Sequence, residues 1–186
     1  MDTHFDFSGF LRDSRRVLQD PKGYFATMPT QGGYGDPLIR AALYGLAGGL
    51  VNLFWGIFGL RLGPMMFSHG GLGLGGLVAL PIVALLSAVV GGAVFWLAAK
   101  LCGVEPEFEA ALRAAAACQV LLPVRAAFNL FHAASPNLGL VLGLALAIFG
   151  AWLAYNALVQ TLGAAERKAR IAAIVLAVLA LAGMLS

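Results

Sequence analysis

Between Ile39 and Lys100 the chain carries only two charges, Arg40 and Arg61, and from Asn137 to Ala165 it carries none. A helix needs about 20 apolar residues to cross the roughly 30 Å of bilayer hydrocarbon, and these runs exceed that length. Water would charge a heavy free-energy cost for so much exposed aliphatic surface. Composition agrees: 60% of the 186 residues are hydrophobic and 11% are charged, where a soluble domain carries about 25% charged. The solvent that suits this chain is lipid.

The pattern predicts an all-α, polytopic integral membrane protein with five transmembrane helices. A leader covers residues 1–36 and a five-span domain covers 37–186. The spans fall at about 37–60, 74–101, 107–131, 137–162 and 171–185. Pro37 suits a first helical turn, where its missing N–H costs nothing. Pro81 is the expected kink of the second span. The segment "RLGPMMFSHGGLG" turns the chain after span one, and "GVEPEFE", "HAASPN" and "GAAERKAR" are read as loops. With the N-terminus in the cytosol, all basic residues except Arg61 and Arg125 collect on that side, as positive-inside topology requires. The C-terminus then lies outside. No cleavable signal peptide is expected, and the first span serves as the insertion signal.

Within the leader, Phe7, Phe10, Leu11, Ser14, Val17 and Leu18 share one helical face, with Arg12, Asp13, Arg15 and Arg16 off it. That pattern predicts a short amphipathic helix, capped by Ser8 and stopped by Asp20-Pro21. Two surroundings fit it, the membrane surface and the protein's own helix ends, and the sequence leaves both open. In "PKGYFATMP", Tyr24, Phe25 and Met28 cluster as an interfacial anchor would.

The glycine-rich "MPTQGGYGDPLIR" raises the possibility of a phosphate loop. A Walker loop needs Lys-Ser/Thr after the glycines, and both it and the dinucleotide fingerprint need a preceding strand. Neither is written here. Gly32, Gly33, Tyr34, Asp36 and Pro37 therefore read as the elbow where the chain enters span one. With Tyr24 and Phe25 they form the expected surface for lipid or a partner.

Polar residues inside apolar spans need partners. Glu109 and Arg113, four residues apart on span three, are expected to pair. Arg125, Asn129 and His132 share a face further along it. They either line a polar cavity or hold a lipid phosphate, or else Arg125 snorkels to headgroups while Asn129 caps a helix end. Gln119 is a further intramembrane polar residue. Asn52, Tyr155, Asn156 and Gln160 are candidates for hydrogen bonds between helices. Gly45, Gly49, Asn52, Gly56 and Gly59 mark one face of span one, and Ala84, Ser87, Ala88 and Gly91 one face of span two. Both predict close packing of these two spans on each other rather than on a second copy.

No His-Glu-x-x-His, Gly-x-Ser-x-Gly or metal-ligand spacing occurs, so no enzyme activity, cofactor or metal is expected. Cys102 and Cys118 read as packing residues. The basic residues are scattered, which argues against a nucleic-acid partner.

The leader "VLQDPKGYFATMPTQGGYGDPLIRAALYGL", the segment "EPEFEAALRAAAACQVLLPV" with its Leu122-Pro123, and "AERKARIAAIVLAVL" resemble the YIP (Ypt-interacting protein) family of integral membrane proteins. The Ala/Gly/Leu/Arg-heavy usage looks bacterial. The resemblance implies five spans with the N-terminus in the cytosol, a bacterial inner membrane location, and no catalytic residues. Eukaryotic relatives bind Rab-type GTPases and act in vesicle traffic and membrane shaping. The short leader here counts against a GTPase partner. The expectation is a non-enzymatic scaffold or adaptor whose cytosolic face engages membrane lipids, a protein partner or another copy of the chain. The alternative is a small transporter or lipid-translocating protein using the polar residues of span three.

Overall fold

The computed structural model describes residues 6–57 and 74–185. The turn expected after span one, with Arg61 and His69, lies outside the described residues, as do Gly59 and the His132 side chain. The described chain is built of helices: α1 (Phe7–Gln19), α2 (Pro21–Thr27), α3 (Gly35–Ile57), α4 (Leu74–Leu101), α5 (Phe108–Cys118), α6 (Leu121–Ala134), α7 (Pro136–Asn156), a π-helical turn (Ala157–Thr161) and α8 (Glu166–Leu185).

Capping fixes the leader. Asp6, not the expected Ser8, caps α1: its carboxylate accepts from the Gly9 amide at 2.9 Å, and Ser8 Oγ donates to the same oxygen at 2.7 Å. A carboxylate at this end faces the positive pole of the helix. Asp20 closes one helix and opens the next. Its backbone N–H bonds Arg16 O at 2.8 Å, and its side chain accepts from the Gly23 amide at 2.9 Å. Pro21 then occupies the first turn of α2.

Four helical stretches are long and apolar enough to cross a membrane: Gly35–Ile57, Gly75–Leu101, Phe108–Phe131 and Pro136–Thr161. They coincide with the first four expected spans. The fifth expected span falls on α8, which starts at Glu166, so "ERKAR" is the first turn of a helix rather than a loop.

The third span is not one continuous helix. α5 stops at Cys118 and α6 starts at Leu121. Pro123 explains this break, because it has no N–H for the Gln119 carbonyl. That carbonyl accepts instead from Leu122 N at 2.9 Å, and Gln119 N and Val120 N turn back to Ala116 O and Ala117 O. The fourth span ends on a different irregularity, the π turn, in which Leu162 N reaches Ala157 O at 3.1 Å.

The packing is inverted by size. The interior is lined with small side chains: Ala110, Ala111 and Ala114 to Ala117 of α5 are buried, as are Ala84 and Ala88 of α4. Large aliphatics such as Val78, Ile82, Leu86, Val90 and Ile148 face outward. This is the arrangement lipid permits, since hydrocarbon is as good a solvent for Leu as a protein core is. Helices then gain by approaching closely. A Cβ added at Gly45 of α3 would sit 2.6 Å from Leu80 O and 2.7 Å from both Pro81 Cα and Ala84 Cβ of α4. At Gly45 and Gly49 the glycine face of span one therefore meets span two of the same chain, while Gly56 has no neighbour within 4 Å. Gly92 of α4 faces Leu112 of α5 at 3.0 Å, and Gly48 of α3 lies against the Leu122-Pro123 peptide of α6.

Gly45→Ala is expected to destabilise the fold by about 1–3 kcal/mol, as overpacking does, because two of its three neighbours are backbone. Gly48→Ala, whose Cβ would meet nothing closer than 3.7 Å, should lie close to wild type. Unfolding midpoints of the two variants in detergent make the comparison.

Candidate functional site

The elbow is held by side chains from the third span. Gly32 and Gly33 adopt φ values of 136° and 91°, a region open to glycine and strained for other residues. The turn they make points both polar groups of Gly33 at α5. Its N–H donates to Glu109 Oε1 at 2.7 Å, and its carbonyl accepts from Arg113 Nη2 at 3.0 Å. A Cβ on Gly32 would lie 2.9 Å from that guanidinium nitrogen.

Arg113 is the hub. Its side chain is 7% exposed, and each of its three nitrogens has a partner: Nε with Glu109 at 3.0 Å, Nη1 with Asp36 at 3.1 Å, and Nη2 with the Gly33 carbonyl. The planar fork of a guanidinium satisfies three acceptors at fixed angles, which a lysine ammonium cannot do. Glu109 pairs with Arg113 as the sequence predicts, and the same pair also captures the elbow.

From Asp36 the network runs into the leader. Arg40 donates from Nε to Asp36 at 3.0 Å and from Nη1 to Asp13 of α1 at 3.0 Å. Beside it, Ser14 and Tyr44 hydroxyls lie 2.7 Å apart, and the Phe10 and Tyr44 rings have centroids 4.9 Å apart. α1 thus meets the start of α3 through Phe10, Asp13 and Ser14, Val17 is buried, and Phe7, Leu11 and Leu18 of the same helix are exposed. Of the two surroundings left open by sequence, packing on the protein's own helix ends holds for the first set.

α2 departs from the expected surface anchor. Phe25 is 1% exposed and Tyr24 is 7% exposed, so these rings serve the core. The Phe25 carbonyl accepts from Thr161 Oγ1 of the π turn at 2.8 Å. Tyr34 of the elbow is exposed, its ring near that of Phe108, and Gln31 donates to the Glu107 carboxylate.

A cavity of about 90 Å³ lies beneath α1 and α2, lined by residues that include Asp13, Arg16, Tyr24, Thr27, Asp36 and Arg40. Burial pushes the Tyr24 phenol well above its ordinary range, against the opposing pull of the Arg40 charge. It is a neutral O–H donor at physiological pH.

The remaining polar residues do not join this cluster. Gln119 Nε2 donates to Ala84 O at 2.8 Å and to Ser87 Oγ at 3.0 Å on α4, while its Oε1 has no partner. Asn52 Oδ1 is also buried without a partner. Asn156 is buried, and its amide donates to Trp152 O of its own helix at 2.7 Å. That bond stays within its own helix, because the i−4 carbonyl lies within reach of a short side chain. Arg125 is exposed and Asn129 half-buried. Sequence reading missed Asp13, Ser14, Arg40 and Thr161. Only Arg40 carries a local signal, its four-residue spacing from Asp36.

A family model described as the Yip1 domain matches residues 15–186. The chain belongs to the Yip1 domain family. The match begins inside α1 and takes in α2, the elbow and every apolar helix. With four apolar helices long enough to span, this Yip1-domain chain is an integral membrane protein. No curated protein and no solved structure matches it.

Removing Arg113 strands two carboxylates and a carbonyl. Arg113→Ala is expected to cost about 3 kcal/mol, the low end for breaking a buried ion pair because Asp36 is partly exposed. Arg113→Lys should recover only part of the loss. Equilibrium unfolding in detergent measures both, and a double-mutant cycle with Glu109→Gln should return a non-zero coupling.

Proposed function

We propose that this Yip1-domain protein is a non-enzymatic membrane scaffold whose elbow and leader present a docking face for lipid headgroups or a protein partner. The proposed topology is five spans, with α8 as the fifth, the N-terminus cytosolic and the C-terminus outside, in a bacterial inner membrane. The single observation that carries the reading is the investment of buried charge in the elbow. Arg113, Glu109, Asp36, Arg40 and Asp13 form one network that rigidifies a solvent-facing loop. A loop that only linked elements would not need it. Rigid loops lose little entropy on binding. On this surface Tyr34 is 51% exposed, and exposed aromatics are common anchors of binding interfaces. The exposed row Phe7, Leu11 and Leu18 on α1 supports contact with the bilayer surface.

Crosslinking in native membranes tests the docking face. A photoreactive group at Tyr34 should yield discrete adducts with a partner or lipid. Tyr34→Ala should weaken partner recovery at least fivefold while leaving the unfolding midpoint unchanged. The absence of any adduct at position 34, together with unaltered behaviour of the variant, would remove the scaffold reading.

A second reading, a small transporter, rests on the broken third span and the partnerless Gln119 Oε1 beside it. Interrupted helices with polar midplane groups recur in transporters. The cavity beneath α1 and α2 has neither Arg125 nor Gln119 in its lining. Proteoliposomes loaded with ions or a labelled lipid decide it: flux that falls on Gln119→Leu would favour transport.

A further inference from the structure

The cavity under α1 and α2 gathers donors from three helices beside the Asp13 and Asp36 carboxylates. Tyr24 lines it, is 7% exposed, and its hydroxyl has no hydrogen-bond partner among the described residues. Arg40 uses Nε and Nη1 on carboxylates, and its Nη2 has no partner among the described residues. Arg16 makes only a long contact from Nη2 to Thr27 Oγ1 at 3.4 Å. Three donors from α1, α2 and α3 thus border one small space. An acceptor with several oxygens would meet all three.

Size and charge narrow the acceptor. About 90 Å³ exceeds the roughly 10–15 Å³ that one water needs and falls short of the roughly 300 Å³ of a whole small-molecule site. A phosphate group fits that interval, while a nucleotide does not. Asp13, Asp36 and Glu109 balance Arg16, Arg40 and Arg113 in formal charge, so the cluster is not a general anion trap. It suits a phosphate that brings its own countercharge or carries a single negative charge, as a phosphodiester does. Along α3, Ile39, Leu46, Leu50 and Phe54 are exposed at i, i+7, i+11 and i+15. This apolar track starts one residue from Arg40 and offers acyl chains a surface.

We infer that the cavity is a phosphate socket for a phospholipid headgroup, with Tyr24, Arg16 and Arg40 as donors and the outer face of α3 as the seat of the chains. This rests on the membrane-scaffold reading insofar as the α1–α2 end of the bundle lies at the lipid–water boundary. It specifies the ligand that sits behind the elbow.

Native mass spectrometry of the full chain, released from detergent with defined lipids, tests it. Phosphatidylethanolamine and phosphatidylglycerol should be retained, and diacylglycerol, which has no phosphate, should not. Tyr24→Phe removes one oxygen without changing shape and should lower phospholipid affinity about tenfold, the scale of a hydrogen bond to a charged acceptor, with the unfolding midpoint preserved. Arg16→Gln, at an exposed position, should lower it several-fold and cannot disturb the core. Inorganic phosphate and glycerophosphate at millimolar levels identify the source. Lipid retention undiminished by them, with no binding of their own, is the expected result, whereas tight binding of either soluble probe would overturn the lipid assignment. Equal retention of diacylglycerol, or wild-type affinity in both variants, would overturn the socket. Neither outcome bears on Tyr34 crosslinking, so the socket and the docking face fail separately.

Discussion

One guanidinium joins the third span to the elbow that precedes the first. Arg113 sits on the third span, almost wholly buried, yet its ligands come from the loop ahead of the first span. The energetic logic is local. An arginine in an alanine-lined helix interface is tolerable only if its charge is met and its N–H groups are spent. The elbow supplies a carboxylate and a carbonyl, and the helix supplies Glu109. Because these demands are mutual, the loop has its conformation and the helix has its charge for the same reason. Gly32 fits into this scheme through shape alone, since its missing side chain is what lets the guanidinium come close.

The leader is then built on that junction. Arg40 carries the network from Asp36 to Asp13, and the Tyr44 hydroxyl meets Ser14. α2 turns its aromatic rings inward, and its Phe25 carbonyl accepts from Thr161 of the π turn. The widened π turn presents a threonine where a regular helix would have closed its own ladder, and irregular turns of this kind recur at functional sites. The outcome is a cap over one end of the bundle with a small polar hollow beneath it.

Much of this was legible in the chain. Runs nearly free of charge located three of the four apolar helices, and within the third the Glu109–Arg113 spacing announced its pair. Gly45 and Ala84 disclosed their own contact through the small residues that mark each face. What was not legible depended on contacts distant in sequence. Nothing local in "GYFATMP" says that Phe25 is core rather than interfacial, because aromatic residues serve both places. Nothing near Asp13 points to Arg40. The break after Cys118 was written in Pro123, but a proline five residues later is equally compatible with a mere kink. Asp6 prevailed over Ser8 as cap because both types cap well and only the register of the first turn separates them.

The alanine lining of the bundle has a thermodynamic corollary. When an aqueous domain opens, water meets fresh apolar surface and the heat capacity climbs, which bends the stability curve into a dome. Pulling these helices apart within a bilayer merely exchanges alanine contacts for acyl chains. The enthalpy of separation therefore drifts little with temperature, and chilling does not loosen the helix–helix seams. The cap of α1 and α2, which faces water in the proposed topology, retains the ordinary curvature, so heating and cooling act on the two parts of this molecule by different rules.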